Sequence, residues 1–423
     1  MLDSWKNSTN SMDFLYFLFG YIGIFALVSV FVMFSRASPL LSNISDKLKG
    51  LCLKIVFTLV PGVVINSVTK SVDYVFNTRN HVMQLVFVVL VLGGNIIFML
   101  DVLPLLYIFE PDKNHIFFPL FLLFTNAAAY HLCAGTDPGR VTSKNAAMLA
   151  SLYKADGVLF KSGSECSTCR VIKPARSKHC KICNQCIHRF DHHCIWTNSC
   201  IGAGNLRYFL IFLVTLMAMI INGAVMSSRA MVLVVSHLKI MESGYWDPYT
   251  GQVQPVTFPV LIQHLFMQQP RCIFLITSLV MLTFLLGLFT LYHIYLLIIN
   301  QTTNERYKLA FLPCDKLSSL SCNNNSTEHS AILPGESRRN GFKRCHDMHS
   351  DENERNFGLK NEGLVQSGHS KPNNNPAKTS DTKNLDSFYN RGLLHNVKEV
   401  FLPWAQLKDV KQIKIKKSRD QKT

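Results

Sequence analysis

Seven of the chain's thirteen cysteines and four of its fifteen histidines lie in one 35-residue stretch between Cys166 and Cys200. A structural zinc ion takes four Cys or His ligands in tetrahedral geometry, often from C-x2-C pairs. Two such sites would use eight ligands, so six cysteines and two histidines would fill both and leave one cysteine over. The residues concerned are Cys166, Cys169, Cys180, Cys183, Cys186, Cys194, Cys200, His179, His188, His192 and His193.

The surplus cysteine is best assigned to Cys194, because it alone directly follows an Asp-His-His run, Asp191 to His193. A neighbouring imidazole can take the proton of a thiol whose ordinary pKa is about 8.5, and a carboxylate can hold that imidazole in the required tautomer. This arrangement predicts nucleophilic thiol chemistry. In the alternative assignment Cys194 is a metal ligand and Cys200 is the surplus thiol. His192 and His193 are also open, since one could be a ligand and the other a base.

The spacing of the remaining cysteines is typical of metal ligation. Cys166-x2-Cys169 is followed by the triplet Cys180-x2-Cys183-x2-Cys186, all within twenty-one residues. The triplet cannot easily serve one ion together with the first pair, so we expect two interleaved sites, and the spacing leaves the assignment of each ligand open. We expect structural rather than catalytic zinc, because protein ligands can fill all four positions of each site. The histidines disfavour an iron–sulfur cluster.

The rest of the chain must place this module at a membrane. The 423 residues are 48% hydrophobic, and the apolar residues come in blocks long enough to cross a bilayer core of about 30 Å as helices. We therefore predict an α-helical polytopic membrane protein with about five spans: TM1 at 14–34, TM2 and TM3 within 83–134 (83–109 and 117–134), TM4 at 209–235 and TM5 at 272–300. The run at 14–34 reads as a retained anchor rather than a signal peptide. A weaker apolar segment at 51–68 is an interfacial stretch or a sixth span.

The distribution of Lys and Arg predicts the orientation of these spans. Thirty-eight of them lie in 35–82, 135–208 and 301–423. The opposite side has five: Lys6, Lys113, Lys239, Arg271 and Arg229, which lies near the end of TM4. We therefore expect the first three segments, including a cysteine-rich module at 165–205, to be cytosolic, and 1–13 and 236–271 to be lumenal. Reducing conditions in the cytosol disfavour disulfides there. The formal net charge of +16 then indicates contact with anionic lipid headgroups rather than nucleic acid.

The cytosolic tail is predicted to be mostly disordered. Residues 316–384 are rich in Asn, Ser, Lys, Glu and His and show little apolar periodicity, which is typical of a disordered linker. Order is expected to return at 388–404, where Leu393, Val397, Val400 and Phe401 have helical spacing.

Together with their flanks, these motifs resemble the DHHC family of integral-membrane protein S-acyltransferases, and are similar to the branch of its fourth mammalian member. The resemblance rests on segments that occur in family order across most of the chain. They are Asp137-Pro138-Gly139, Cys166-Ser167-Thr168-Cys169, Lys173 to Cys180, Asp191-His192-His193-Cys194, Asn198 to Gly202, Asn205, Tyr208-Phe209, Thr302-Thr303-Asn304-Glu305, and Tyr389 to Phe401 with Gly392 and Asn396.

This resemblance implies a role for each residue of the module. One zinc ion would be bound by Cys166, Cys169, His179 and Cys186, and the other by Cys180, Cys183, His193 and Cys200. Cys194 would be the acylated nucleophile, His192 its base and Asp191 the residue that orients the base. Thr303 would lie near Asp191, Asn396 would help tie the tail to the module, and Trp196 would lie near the thioester end of the acyl chain.

The implied reaction takes an acyl group from a long-chain acyl-CoA such as palmitoyl-CoA, first to Cys194 and then to a cysteine of a substrate protein. The expected partners are membrane and peripheral proteins with cytosolic cysteines, acyl-CoA and the lipid bilayer. The expected location is the endoplasmic reticulum or Golgi membrane, with the plasma membrane as the alternative. Two positions depart from the common family pattern: Ile195 stands where many members have Pro, and Ser199 where many have Asn. They put the local backbone and the substrate preference in question more than the activity.

Two other classes of function compete with this interpretation. A catalytically silent membrane adaptor built on the zinc module is disfavoured by the intact Asp191, His192 and Cys194. A transporter or channel would need polar residues within the spans, and Asp101 is the one clear acidic candidate.

Overall fold

The computed structural model describes residues 61–247, 250–310 and 388–404, together with the isolated positions 20, 23 and 47. The predicted span at 14–34, apart from two of its residues, the first part of 51–68 and the polar linker at 316–384 lie outside the described residues. What is described divides into two compact units. The first comprises residues 61–136, 193–199 and 205–293, and the second comprises residues 137–192, 200–204, 294–310 and 388–404.

Long apolar helices form the first unit. Within the described residues, four helical segments are long and apolar enough to cross a membrane, and each corresponds to one of the spans predicted at 83–109, 117–134, 209–235 and 272–300. Their lengths of 19 to 32 residues correspond to about 28–48 Å at 1.5 Å per residue. The helices of this unit are α1 (Gly62–Asn77), α2 (Val82–Ile97), α3 (Leu103–Phe109), α4 (Phe117–Gly135), α6 (Leu206–His237), α7 (Phe258–Gln268) and α8 (Pro270–Ile299, whose last turn belongs to the second unit).

A π-helical turn, Phe98–Val102, interrupts the first of these spans between α2 and α3. It contains Asp101, whose carboxylate accepts a hydrogen bond of 2.7 Å from Arg271 at the start of α8. Phe98 and Val102 of the same turn are buried in the core that α3, α6 and α8 form. The acidic residue within the spans is thus paired with a basic one, which is the usual state of such a residue in an apolar environment.

The segment predicted as a lumenal loop, 236–271, contains regular structure. A 3-10 turn at Ile240–Glu242 follows α6, and a hairpin pairs β7 (Gly244–Asp247) with β8 (Gln252–Pro255) in antiparallel register. Gly251 takes a left-handed backbone (φ 64°) where the hairpin turns. Helix α7 then leads into the next span.

The cysteine-rich module consists of three short two-stranded sheets rather than one continuous sheet, and the first two are antiparallel hairpins. Arg170 and Asn184 have left-handed backbone conformations, and each directly follows the second cysteine of a C-x2-C pair. This conformation allows the tight turn in which the two sulfurs of the pair lie close to the same metal group. The strands are β1 (Glu165–Cys166), β2 (Val171–Ile172), β3 (Lys178–Cys180), β4 (Gln185–Ile187), β5 (His192–Cys194) and β6 (Ser199–Ile201). A short helix, α5 (Ala146–Ala150), packs its Leu149 against the first hairpin.

The second unit begins at the Asp137-Pro138-Gly139 motif. The Asp137 carboxylate accepts hydrogen bonds of 2.8 Å from the backbone N–H groups of Gly139 and Arg140, an Asx turn. Gly204 packs so closely on this turn that a Cβ atom there would lie 2.1 Å from the Asp137 carbonyl oxygen. The small residue is therefore required where the end of the cysteine-rich module meets the motif.

Two helices complete the second unit: α9 (Thr303–Ala310) and α10 (Leu393–Phe401). The ordered segment predicted at 388–404 is thus described, with a helix at its centre. The face of α10 that packs inward carries Asn396, Glu399 and Val400, whereas Leu393 is exposed. Polar contacts therefore contribute much of the attachment of this helix.

Candidate active site and metal centres

Metal group 1 comprises Cys166, Cys169, His179 and Cys186, whose ligand atoms all lie within 4.8 Å of one another. The first two come from the β1–β2 turn and the last two from paired positions of β3 and β4. The three sulfurs lie 3.6, 3.3 and 3.8 Å from Nδ1 of His179. Tetrahedral zinc with Zn–S near 2.3 Å and Zn–N near 2.0 Å would place sulfur and nitrogen about 3.5 Å apart. The donor set and its spacing fit a four-coordinate metal ion.

Metal group 2 comprises Cys180, Cys183, His193 and Cys200, and its ligand atoms meet the same distance limit. The sulfurs of Cys183 and Cys200 are 3.5 Å apart. The backbone N–H of Cys183 points to the sulfur of Cys180 at 3.5 Å, a contact that stabilises a thiolate ligand. The nine cysteines in the described part of the chain form no disulfide. The two groups are interleaved along the sequence as the spacing predicts, and their membership is the one that the family resemblance implies.

Neither group includes His192 or Cys194, which lie on strand β5 to either side of His193. Side chains alternate along a strand, so His192 and Cys194 project to one face and His193 to the other. One strand can therefore hold a metal ligand on one face and two reactive groups on the other. The Cys194 side chain is buried, and that of His192 is about one quarter exposed.

The carboxylate of Asp191 accepts a hydrogen bond from the imidazole of His192. Its Oδ2 lies 2.6 Å from Nδ1 of His192, and its side chain is 3% exposed. A carboxylate at this nitrogen keeps the proton on Nδ1 and leaves Nε2 free of a proton in the neutral ring. The backbone N–H of Asp191 also donates to the Ile201 carbonyl oxygen at 2.9 Å, which fixes the acid relative to strand β6.

The N-terminus of helix α9 holds the same carboxylate. Thr303 donates its backbone N–H to Oδ1 of Asp191 at 2.7 Å and its hydroxyl to Oδ2 at 3.1 Å. Thr302 and Glu305 form a reciprocal capping box: the N–H of Thr302 donates to the Glu305 carboxylate at 2.9 Å, and the N–H of Glu305 to the Thr302 hydroxyl at 3.2 Å. The box leaves the N–H of Thr303 available for Asp191, a favourable position for an anion.

A buried network of charged residues, which the sequence motifs did not predict, joins α9 and α10 to the cysteine-rich module. Arg176 makes two hydrogen bonds, of 2.7 and 2.9 Å, to the carboxylate of Glu305, and lies 3.3 Å from the carboxylate of Glu399. Arg189 lies 3.4 Å from the same oxygen of Glu399 and donates to Asn300 at 2.7 Å. Both arginines and both glutamates are at most 3% exposed. Charges buried to this degree are stable only when paired.

Aromatic rings and an amide complete the network. The Tyr153 hydroxyl donates to Glu399 at 2.6 Å, and the Arg176 guanidinium lies over the rings of Tyr153 and Tyr389 at 5.0 and 4.5 Å. Burial opposes the charge of Glu399, but Arg189 and Arg176 keep its pKa below the ordinary value. The only hint of this network in the sequence was the helical pattern around Glu399, since its charged members are far apart along the chain.

His188, the fourth histidine of the stretch, is outside both metal groups. Its ring is fully buried beside Tyr153. Burial, together with the charges of Arg176 and Arg189, lowers the pKa of His188 to about 3. It is therefore a neutral core residue at physiological pH.

The two remaining residues that the resemblance singled out lie in separate places. Asn396 donates to the Ile298 carbonyl oxygen at 2.7 Å and accepts from the N–H of Arg391 at 3.1 Å, so it ties α10 to the end of α8. The carbonyl oxygen of Trp196 accepts a hydrogen bond of 2.9 Å from the Tyr130 hydroxyl of α4, and the indole is exposed.

Comparison with known proteins gives consistent matches. A profile of the DHHC palmitoyltransferase family matches residues 159–310, which include both metal groups, β5 and α9. Palmitoyltransferase ZDHHC4 of Bos taurus is 35% identical over 302 residues, covering 70% of this chain and 85% of its own length. The protein of the same name from Rattus norvegicus is 44% identical over 190 residues, 45% of this chain and 55% of its own. Palmitoyltransferase SWF1 of Saccharomyces cerevisiae is 56% identical over 63 residues, 15% of this chain and 19% of its own.

Proposed function

Because this chain belongs to the DHHC palmitoyltransferase family, we propose that it is a membrane-bound protein S-acyltransferase with Cys194 as its nucleophile. Its donor is a long-chain acyl-CoA, with palmitoyl-CoA as the expected species. Its acceptors are cysteines of membrane and peripheral proteins at the cytosolic face. The observation that carries the proposal is the Asp191–His192 pair at 2.6 Å, two residues before a buried thiol on the same face of strand β5.

In the first half-reaction, Nε2 of His192 takes the proton of the Cys194 thiol, and the thiolate attacks the carbonyl carbon of the acyl-CoA thioester. The new carbon–sulfur bond forms as the bond to the CoA sulfur breaks, and the imidazolium returns its proton to the departing CoA thiolate. Asp191 stays ionised throughout and stabilises the imidazolium. The products are acyl-Cys194 and free CoA.

In the second half-reaction, His192 takes the proton of the acceptor cysteine, whose sulfur attacks the acyl-Cys194 carbonyl. Cys194 leaves as a thiolate and is reprotonated by His192, so the enzyme returns to its starting state. One thioester replaces another in each step, so the two steps are nearly balanced in energy. Catalysis therefore depends on positioning and on supplying the thiolate.

We assign a structural zinc ion to each metal group, since the donors are Cys and His and all four positions come from the protein. Such ions would stabilise the hairpins and would supply no reacting water. Cys180, Cys183, His193 and Cys200 would hold the ion next to strand β5, so His193 would fix the backbone directly before Cys194. The proposed membrane is that of the endoplasmic reticulum or Golgi.

Labelling with an alkyne fatty acid tests the proposal on the full-length protein in cells. We expect a hydroxylamine-sensitive adduct on the wild type that is lost in Cys194→Ser. Cys272→Ala, which removes a buried thiol of α8 outside the module, is the matched control and should keep its label. Labelling unaffected by Cys194→Ser would refute the assignment. A protein that carries no label and still binds two zinc ions would instead be the silent adaptor.

A further inference from the structure

The turn at Ile195 to Asn198 directly follows Cys194 and contains neither proline nor glycine. The N–H of Asn198 closes it with a hydrogen bond of 3.3 Å to the Ile195 carbonyl oxygen. The Thr197 hydroxyl contacts the Cys194 carbonyl oxygen at 3.4 Å, and Asn198 takes a left-handed backbone with φ 47°. These internal contacts are long, so the position of the turn depends on what surrounds it.

Side chains from two different helices bind successive carbonyl groups of this turn. The Tyr130 hydroxyl of α4 donates to the Trp196 carbonyl oxygen at 2.9 Å, and the Gln84 amide of α2 donates to the Thr197 carbonyl oxygen at 3.2 Å. We call these two contacts the carbonyl clamp. Thr197 is 1% exposed. A buried carbonyl group that lacks a hydrogen-bond donor costs free energy, so the bond from Gln84 stabilises this turn.

Both donors are themselves fixed by neighbours within the same unit. The Tyr130 ring stacks on Phe87 with centroids 4.9 Å apart and lies 5.5 Å from the ring of Phe212. The other end of the Gln84 amide, Oε1, lies 2.6 Å from Nδ1 of His81, and Nδ2 of Asn198 lies 3.3 Å from the same nitrogen. In the tautomer with its proton on Nδ1, His81 donates to Oε1 and holds the amide with its NH2 group toward Thr197. Phe87 and Gln84 are three residues apart on α2 and share one face of the helix.

We propose that Tyr130 and Gln84 are positioning residues that set the reactive geometry of Cys194 through the carbonyl clamp. This inference rests on the proposed function of Cys194. On its N-terminal side, that thiol is held by strand β5 and His193. On its C-terminal side, the carbonyl clamp holds the turn that follows the thiol, through the carbonyl groups of Trp196 and Thr197. Acyl transfer depends on reacting atoms at about 3–3.5 Å, and a displacement of about 1 Å can cost roughly 10²-fold in rate.

Kinetics of the full-length protein in lipid nanodiscs test the clamp. Tyr130→Phe keeps the ring packing and removes only the hydroxyl, and Gln84→Met keeps the length and removes the amide. With alkyne-palmitoyl-CoA, we expect each variant to form acyl-Cys194 roughly 10-fold more slowly and the double variant more slowly still. The KM for the acyl-CoA and the zinc content should stay at wild-type values in each variant. The thermal transition should stay at the wild-type value in Tyr130→Phe, whose partner Trp196 is exposed.

Thr125→Val is the matched control on α4. It also removes one hydroxyl, but that hydroxyl bonds only to carbonyl groups of its own helix, at 2.9 and 3.0 Å, so wild-type rates are expected. The inference is overturned if Tyr130→Phe acylates at the wild-type rate, if it raises the KM with an unchanged rate, or if its slower rate accompanies a lower thermal transition. Cys194→Ser in the same assay separates the two proposals: label that persists there refutes the nucleophile, whereas an inactive Cys194→Ser with a fully active Tyr130→Phe refutes only the clamp.

Discussion

The carboxylate of Asp191 connects two separate tasks within the site. It accepts two hydrogen bonds from Thr303 and one contact from the His192 ring at 2.6 Å. The first two hold the acid in one orientation, and the third transmits that orientation to the imidazole. The pattern Thr302-Thr303-Asn304-Glu305 therefore has a physical explanation. Thr302 and Glu305 form the capping box at the start of α9, and Thr303 donates two hydrogen bonds from that helix end to Asp191.

Replacing Asp191 by Asn should abolish most of the acylation while leaving the module folded. An amide NH2 group at this position would donate to Nδ1 and force the ring proton onto Nε2, so His192 could no longer take the Cys194 proton. We expect acyl-Cys194 formation to slow by about 10²–10⁴-fold, the range that general base catalysis contributes. The defect should shrink as the pH rises, because a larger fraction of the thiol then ionises without a base. Single-turnover labelling across pH measures both effects.

Asp156→Asn is the matched control for this substitution. Asp156 also lies in the second unit, where one carboxylate oxygen accepts from the backbone N–H groups of Val158, Leu159 and Phe160. An asparagine can make the same turn, so acylation should be unchanged. Wild-type acylation in Asp191→Asn, at a pH where the thiol is mainly protonated, would contradict the role of His192 as the base.

At this scale, much of the site is predictable from residue types and spacing. The density of cysteines and histidines predicts two interleaved metal groups and one thiol left over. It leaves open which histidine goes where, because neighbours on a strand differ only in the face to which they project. The family resemblance supplied that assignment for His192 and His193. Arg176 and Arg189 gave no comparable signal, because a buried arginine looks like any other basic residue in a sequence whose net charge is +16.

Among the elements, α10 shows that buried charges can contribute much of the attachment of a tail helix. Leu393 and Leu394 are exposed, while Glu399 is buried between Arg176 and Arg189. The helical spacing of apolar residues predicts the helix but not this face. The reason is that side chains brought from residues 176, 189 and 300 provide the partners for Glu399, and their proximity follows from tertiary structure alone.

Glu399→Gln should detach α10 and destabilise the second unit. The glutamine would leave Arg189 without an anionic partner among the described residues, and breaking a buried ion pair by removing one member costs about 3–5 kcal/mol. We expect a lower thermal transition and increased proteolysis around α10. Lys398→Gln is the matched control, since Lys398 is adjacent and exposed, and it should unfold like the wild type. Equal unfolding temperatures for the two variants would show that the network contributes little.

The whole molecule combines apolar helices with a module that holds two clusters of cysteine and histidine suited to binding metal ions. Acyl-CoA is a cytosolic metabolite with a membrane-soluble tail, so an enzyme that uses it benefits from spans that accept the acyl chain and a thiol at the cytosolic surface. The excess of Lys and Arg, thirty-eight against five, predicts that the segment 135–208 faces the cytosol and that the β7–β8 hairpin faces the lumen. These assignments of side remain predictions.

Glycosylation of introduced acceptor sites tests the orientation directly. The segment at 1–13 contains the acceptor sequence Asn7-Ser8-Thr9, which Asn7→Gln removes. In that background, Gly251→Asn combined with Val253→Thr creates an acceptor in the hairpin turn, where the left-handed backbone tolerates asparagine. Ser162→Asn creates one next to Gly163 on the exposed surface of the second unit. We expect an endoglycosidase-sensitive gain in mass for the hairpin variant alone, because N-glycans are added on the lumenal side. Glycosylation of the Ser162→Asn variant alone would show that the orientation is the opposite of the one predicted. It would place Cys194 in an oxidising compartment without acyl-CoA, and the topology and the proposed reaction would then fail together.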